Sequence, residues 1–393
     1  MQQQLISLSP DLKKLRDEGY ELEINGGYVC IHHIPYVNKD KEVKLGTLVC
    51  TLNLASPTSA SRPPDHTIFF MGEYPCHKDG SVMNEIINHS PNQVLWEGMV
   101  GNHYFSSKPE KGFYDDYYEK FIRYIQLLSV PAKSFESAST ARTYKPFVDN
   151  QEESVFNYFD TNSSRANILV VNEKLKNQKI AIIGLGGTGS YILDLIAKTH
   201  VSQIHLFDPD DFSQHNAFRS PGAPSIDELN LRKKKVDHLS EIYSKMHKGI
   251  VSHVKCISRD NIELLRGMSY VFICVDKNSV RHEIIKELLK MNLSFIDVGL
   301  GVTLVDDKLI GIVRTTTGTS AKNNHLDKRI SSQDTDDNEY VTNIQIADLN
   351  ALNAVMAVLK WKKLSGFYQD LIEEHNSLYS INVAQLLNGD TTT

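Results

Sequence analysis

At 393 residues, with 41% hydrophobic and 23% charged residues, the chain has room for two or three domains with proper cores and the composition of a globular protein. A net charge of −6 argues against a duplex nucleic-acid binder, and no segment approaches the roughly 20 consecutive apolar residues that span a bilayer. The start, Met-Gln-Gln-Gln-Leu-Ile-Ser, does not read as a secretory signal, and five scattered cysteines without a Cys-x-x-Cys pair point to a reducing, cytoplasmic setting.

Residues 1–145 read as one α+β unit. Gly27–Pro35, Val43–Leu54 and Thr67–Glu73 are predicted strands, and Ser56–Asp65, with three prolines, is a predicted loop. Tyr114–Val130 is a predicted amphipathic helix that Pro131 ends. Residues 146–164 then serve as a linker. His66, Cys76, His77 and Asp79 are the best metal or hydrolytic candidates of this unit, but their spacing reaches no ligand motif.

From 165 to 385 strand and helix alternate. Ile180, Ile182 and Ile183 make a buried strand that stops in Gly184-Leu-Gly186-Gly187-Thr-Gly189-Ser and continues as a helix. Gly184 permits the tight turn, Gly186 and Gly187 let backbone amides approach a ligand, and Gly189 lets the helix pack on the strand. The helix N-terminus then faces an anion such as a nucleotide phosphate.

Strand Gln203–Phe207, helix Ile226–Lys248, strands Val251–Ile257 and Tyr270–Val275, helix Val280–Met291 and strand Ser294–Val298 follow. This rhythm implies a Rossmann-like, mainly parallel sheet with helices on both faces. Val302–Val305 and Leu309–Arg314 then read as a hairpin, and Thr315–Glu339 as a long functional loop without a period. Ile346, Leu349, Leu352, Met356 and Leu359 mark a closing helix, and Gly389–Thr393 reads as a frayed end.

Asp208, after the second strand, stands where a carboxylate meets ribose hydroxyls, which a nicotinamide oxidoreductase also requires. Asp210, Asn216, Arg219, Lys235 and the strand-end Asp276 fit that enzyme poorly. Cations, an amide and carboxylates around a phosphate site suit ATP with Mg²⁺, because a carboxylate plus phosphate oxygens makes the usual magnesium shell. Arg and Lys stabilise charge on departing pyrophosphate. Lys233 and Lys234 read as a solvated face, with Lys234 the runner-up to Lys235 for the phosphates.

The ordered set Gly-Leu-Gly-Gly-Thr-Gly-Ser, Asp-x-Asp, Asn-x-x-Arg, Lys and strand-end Asp resembles the ThiF/MoeB family, bacterial relatives of ubiquitin-activating enzymes. The resemblance implies adenylation by ATP of the C-terminal carboxylate of a ubiquitin-like protein, in a homodimer, for transfer to a conjugating enzyme or sulfur-transfer partner. By motif, Asp208 would hold ribose, Asn216, Arg219 and Lys235 would contact phosphates, and Asp276 would bind Mg²⁺. Arg165 resembles an arginine supplied near the start of the family's domain. The runners-up are adenylation of a small-molecule, peptide or nucleoside carboxylate, an NAD-dependent oxidoreductase and an inactive nucleotide-binding scaffold.

One departure from the family stands out. No cysteine follows Cys274, so the expected crossover loop 315–339 offers only hydroxyls (Thr315, Thr316, Thr317, Thr319, Ser320, Ser331, Ser332, Thr335) to accept an acyl group. The enzyme therefore stops at the adenylate or forms an oxyester, with Cys76 a remote thiol. Cys256 and Cys274 read as core residues. The 1–145 unit is expected to recruit the substrate or a downstream partner.

Overall fold

The computed structural model describes residues 2–145, 154–166, 168–331 and 344–391, which divide into two compact units, Met1–Val171 and Asn172–Thr393. Each has its own sheet and its own apolar core.

The first unit is built on six antiparallel strands: β1 (Leu22–Asn25), β2 (Tyr28–Val37), β3 (Val43–Thr51), β4 (Thr67–Met71), β5 (Ile87–His89) and β6 (His103–Ser106). They lie in the order β1-β2-β3-β4-β6-β5. Helix α1 (Tyr117–Lys133) packs its Tyr117, Phe121 and Tyr124 face into the core with Phe70 and Phe105. Asp116 caps it by accepting the Glu119 N–H at 2.7 Å. Pro131 does not end the helix, which runs on to Lys133. In the last turn its ring costs one backbone bond, and Ala132 beside it packs in the core. Inside the predicted loop at Ser56–Asp65, Ser59–Ala60 pairs with a short strand, Leu54–Ser56, that leads into it.

The second unit opens with β7 (Lys179–Ile183), α2 (Gly187–Ile196) and β8 (Gln203–Phe207), then α3 (Lys235–Tyr243), β9 (Ile250–His253) and β10 (Tyr270–Ile273). After these come α4 (Asn278–Lys290), β11 (Phe295–Val305), β12 (Lys308–Gly318), α5 (Ala347–Leu364), β13 (Asn376–Ser380) and β14 (Gln385–Gly389). The eight strands lie in the order β9-β8-β7-β10-β11-β12-β13-β14. The first five are parallel and the last three join antiparallel. The strand order reverses between β7 and β10, so the carboxyl ends of those two strands bracket a crevice of the kind where open α/β sheets bind ligands.

Several predicted elements need correction. The span Ile226–Lys248 is two helices, Ile226–Asn230 and Lys235–Tyr243, because Arg232 between them adopts a positive φ of 44°. Ser294–Val298 and Val302–Val305 are a single strand, β11, that pairs in parallel with β10 at its start and antiparallel with β12 throughout. Asp306 and Asp307, both at positive φ, make the tight turn between β11 and β12. Thr315, Thr316 and Thr317, expected in the crossover loop, belong to β12 and are buried. A short helix, Leu326–Arg329, also falls inside the expected loop, while Ser332 and Thr335 lie outside the described residues. Gly389 closes β14 rather than fraying, and Asp390 is held by Arg329 at 2.7 Å. Cys256 is exposed and outside any strand, not a core residue.

Candidate functional site

The glycines after β7 do different jobs. Gly184 has φ +87°, and a Cβ there would stand 2.8 Å from the Cys274 carbonyl oxygen, so the turn closes directly against the end of β10. A Cβ on Gly189 would meet the Gly184 carbonyl oxygen at 1.9 Å, which excludes any side chain. One on Gly187 would meet Asn350 of α5 at 2.2 Å, so this glycine admits a neighbouring helix as well as exposing backbone. Gly186 alone of the four faces open space. It is also the N-cap of α2, whose first turn carries no acidic residue. A short ligand approach to unpaired amides at a positive dipole end is therefore available at one point.

Asp208 braces this turn. Its carboxylate is 5% exposed and accepts the Leu185 N–H at 2.7 Å and the Asp210 N–H at 2.9 Å. Lys235, the first residue of α3, is 7% exposed and reaches Asp208 at 3.4 Å and Asp210 at 2.7 Å. Its ammonium does not snorkel along the apolar stripe; it is balanced between two carboxylates. Lys234 is paired with Asp211 at 2.7 Å instead.

Asn216 and Arg219 are set by a short helix, Gln214–Ala217. Asn216 is 1% exposed, and its Oδ1 accepts the Ser213 N–H at 3.0 Å, leaving Nδ2 buried without a partner. Arg219 Nε is likewise buried and unpartnered. Burial pushes the Arg219 guanidinium down from its ordinary value, and the charge of Asp276 partly restores it, which places the two within electrostatic reach. Burial also lowers His215, followed by the charges of Arg219 and Lys235. Three basic groups thus share one space. Asp276 is exposed, between β10 and α4.

Arg165 lies at the end of a short helix, Thr161–Arg165, and its side chain is outside the described residues. Among the described residues no group of three or more His, Cys, Asp and Glu side chains could hold a metal. A single exposed carboxylate beside a phosphate site fits Mg²⁺, which takes most of its ligands from phosphate and water. Cys76 is fully buried and Cys274 sits beside Asp297; burial raises both thiols, Cys274 the more strongly, so neither is a ready nucleophile.

A second layer was not foreseen. Asp297 on β11 is fully buried and paired with Arg281 of α4 at 2.9 Å and Arg314 of β12 at 2.6 Å. Asn350 and Asn353, both 1% exposed, project from α5 toward the glycine turn and β11. The sequence did hold a signal: an aspartate inside the apolar run Ser294–Val298 must find a cation.

The ThiF family model matches residues 163–386, well over half of the chain. The chain belongs to the ThiF family. A domain of unknown function (DUF6791) matches residues 10–161 ahead of the ThiF region. The adenylyltransferase and sulfurtransferase UBA4 of Saccharomyces cerevisiae is 26% identical over 141 residues, 35% of this chain and 29% of its own length. The tRNA threonylcarbamoyladenosine dehydratase of Bacillus subtilis is 26% identical over 132 residues, 32% of this chain and 49% of its own. The chain thus spans under a third of the yeast relative and about half of the Bacillus one. A crystal structure of E. coli MccB with ATP aligns over 57% of this chain and 67% of its own, at 17% identity and TM-score 0.43. One with succinimide aligns over the same shares at 16% identity and TM-score 0.45.

Proposed function

We propose that the chain activates a carboxylate, the C-terminus of a ubiquitin-like protein, by adenylation with ATP. The observation that carries this reading is the pair of buried, unpartnered donors, Asn216 Nδ2 and Arg219 Nε, together with the open approach at Gly186. An unmet buried donor costs about 1–3 kcal/mol, and a nucleotide phosphate would meet both. The name of the yeast relative includes adenylyltransferase, which supports ATP as the second substrate.

In this reading α2 and Gly186 bind the phosphates through backbone amides, and Asp208 holds ribose with the acceptor capacity left after Leu185 and Asp210. A carboxylate oxygen of the acyl donor attacks the α-phosphorus, the bond to the bridging oxygen breaks, and pyrophosphate leaves with that electron pair. No proton moves, because the nucleophile is already ionised. Arg219 stabilises the charge that grows on the phosphates. Lys235 reaches them by leaving Asp210, the exposed member of its pair of carboxylates. A Mg²⁺ ion held by Asp276 supplies further charge neutralisation on the phosphate oxygens when bound.

Residues 1–145 serve as the recruiting domain, residues 146–164 as the linker and 165–385 as the adenylation domain, with Arg165 acting near the phosphates, across a homodimer. Transfer of the adenylate to a partner is favoured over an oxyester at Thr315–Thr317, since those hydroxyls are buried in β12. The test is exchange of labelled pyrophosphate into ATP with candidate ubiquitin-like proteins. Exchange that needs such a protein and vanishes in Asp276→Ala supports the reading; nicotinamide dinucleotide binding without exchange contradicts it.

A further inference from the structure

Two buried hydroxyls of β12 stand apart from the nucleotide crevice. Side chains alternate along a strand, so Arg314 and Thr316 lie on the face that carries Asp297, and Thr315 and Thr317 point to the other face, toward α5. Thr315 and Thr317 are at most 4% exposed, and neither hydroxyl has a partner. They line a cavity of about 150 Å³ whose opposite wall is the Met356, Leu359, Lys360 and Lys363 face of α5. This is the far half of that helix. Asn350, about 15 Å earlier along the axis, lies against Gly187 at the crevice. Trp361, next to Lys360, instead donates at 2.9 Å to Gln178, ahead of β7.

Lys360 adds further donors to the same space. It is 5% exposed, donates to Asp370 at 3.1 Å and stands 3.9 Å from Glu374, beyond hydrogen-bond reach. An ammonium has three N–H groups, so two of them are unmet. Glu374 is held by Lys363 at 3.0 Å, and the charges of Lys360, Lys363, Asp370 and Glu374 cancel. Two N–H and two O–H donors therefore share one small cavity. Its opening is different in kind: Leu359 and Leu386 are half-exposed there, and Met356 is half-buried. A polar floor under an apolar mouth selects an amphipathic guest. Water would satisfy the hydroxyls but gains nothing from the leucines.

We propose that this cavity binds a monocarboxylate with a short aliphatic chain, at a site separate from the crevice. The carboxylate accepts from the Thr315 and Thr317 hydroxyls and from the two unmet N–H groups of Lys360, whose charge strengthens the contact. The chain runs outward between Met356, Leu359 and Leu386. A dianion is excluded by charge, because the four ionic side chains already sum to zero and Asp370 and Glu374 stand beside the ammonium. Size limits the guest as well. A space of this volume holds a benzene-sized molecule of about six heavy atoms, which is butyrate or the head and first carbons of hexanoate. The site is independent of the adenylation reading and is tested by binding alone.

The test is a ligand-observed NMR titration of the full chain with acetate, butyrate, hexanoate and hexan-1-ol. Hexanoate should bind at least about tenfold more tightly than acetate, since each fully buried methylene is worth about fourfold. Hexan-1-ol keeps the chain and loses the charge, and should bind at least about tenfold more weakly than hexanoate. Thr315→Val and Thr317→Val keep the side-chain shape and remove one donor each. Each should weaken hexanoate by about five- to tenfold without lowering Tm, since neither hydroxyl has a partner to lose. Arg219→Ala should leave hexanoate binding unchanged, because it alters only the crevice. The comparison of ligands on the unaltered chain stands even if a variant folds poorly. Saturable binding of none of the four, hexan-1-ol as tight as hexanoate, or hexanoate binding untouched by both valines would overturn the inference. So would binding lost in Arg219→Ala and kept in the valine variants, which puts the carboxylate in the crevice.

Discussion

The two units differ in how completely they satisfy their own buried polar groups. In Met1–Val171 the buried Lys120 donates to the Asp65 carbonyl at 3.0 Å, Tyr117 donates to Thr51 at 2.8 Å and Tyr124 donates to His66 at 2.5 Å. Among the described residues its one buried polar side-chain atom without a partner is Ser129 Oγ. In Asn172–Thr393 the unpartnered atoms include Asn216 Nδ2 and Arg219 Nε, at and just past the short helix Gln214–Ala217, Asn350 Nδ2 and Asn353 Oδ1 of α5, and Thr315 Oγ1 and Thr317 Oγ1 of β12. Native proteins leave few such atoms, so the second unit is where ligands are expected to complete the structure. The first unit is closed upon itself, and its contribution to chemistry is expected to come through its surface.

That contrast can be broken in order of expected effect. Asp297→Ala leaves two guanidiniums without their shared carboxylate and should cost about 3–5 kcal/mol, the size of a broken buried ion pair. Calorimetry should show the loss in the transition of the second unit alone. Arg219→Ala should lower pyrophosphate exchange by about 10²–10³-fold, with the circular dichroism spectrum unchanged, because it removes one donor from developing charge. An effect under about threefold would mean that its unpartnered Nε is not aimed at the reacting phosphates.

Lys120→Met sharpens the comparison from the other side. It replaces a fully buried ammonium, 3.4 Å from the half-exposed carboxylate of Asp65, by an apolar side chain of similar length. Exchange should stay within about twofold even where the first unit loses stability, since this ammonium finds its partners within the first unit. A large loss of exchange would show that the first unit takes part in catalysis through its core.

The smallest expected effect concerns pH. Burial, with added repulsion from His253 and Lys179, holds His205 down to about 4, below the ~6.5 of an unfolded histidine. The folded state therefore binds fewer protons than the unfolded one between these values. His205 contributes its full share of stability above pH ~6.5 and loses it as pH falls toward 4. His205→Gln should flatten the dependence of Tm on pH in that window; an unchanged slope would contradict the assignment.

Much of the second unit was legible because its signals are local. The glycine run, the apolar strands β7, β8 and β10, and Asp208 at a strand end all follow from residue order, and so does the parallel core. Strands β13 and β14 were missed because they join the sheet only through β12 and carry mixed residues without a clean alternation, partly buried in β13 and mostly exposed in β14. The same non-locality hid the polar layer. Nothing in the spacing of Arg281, Asp297 and Arg314 shows that three elements bring them together. Asn350 and Asn353 lay within an apolar helical pattern that masked their burial. Thr315–Thr317 looked like a loop by composition, but pairing with β11 and β13 makes them strand.

A crystal structure with ATP and Mg²⁺ tests the central claim most directly. The account predicts the phosphates over Gly186, with Asn216 Nδ2 and Arg219 Nε donating to phosphate oxygens and Asp276 on the metal. A nucleotide bound elsewhere, with both donors still unpartnered, would contradict it.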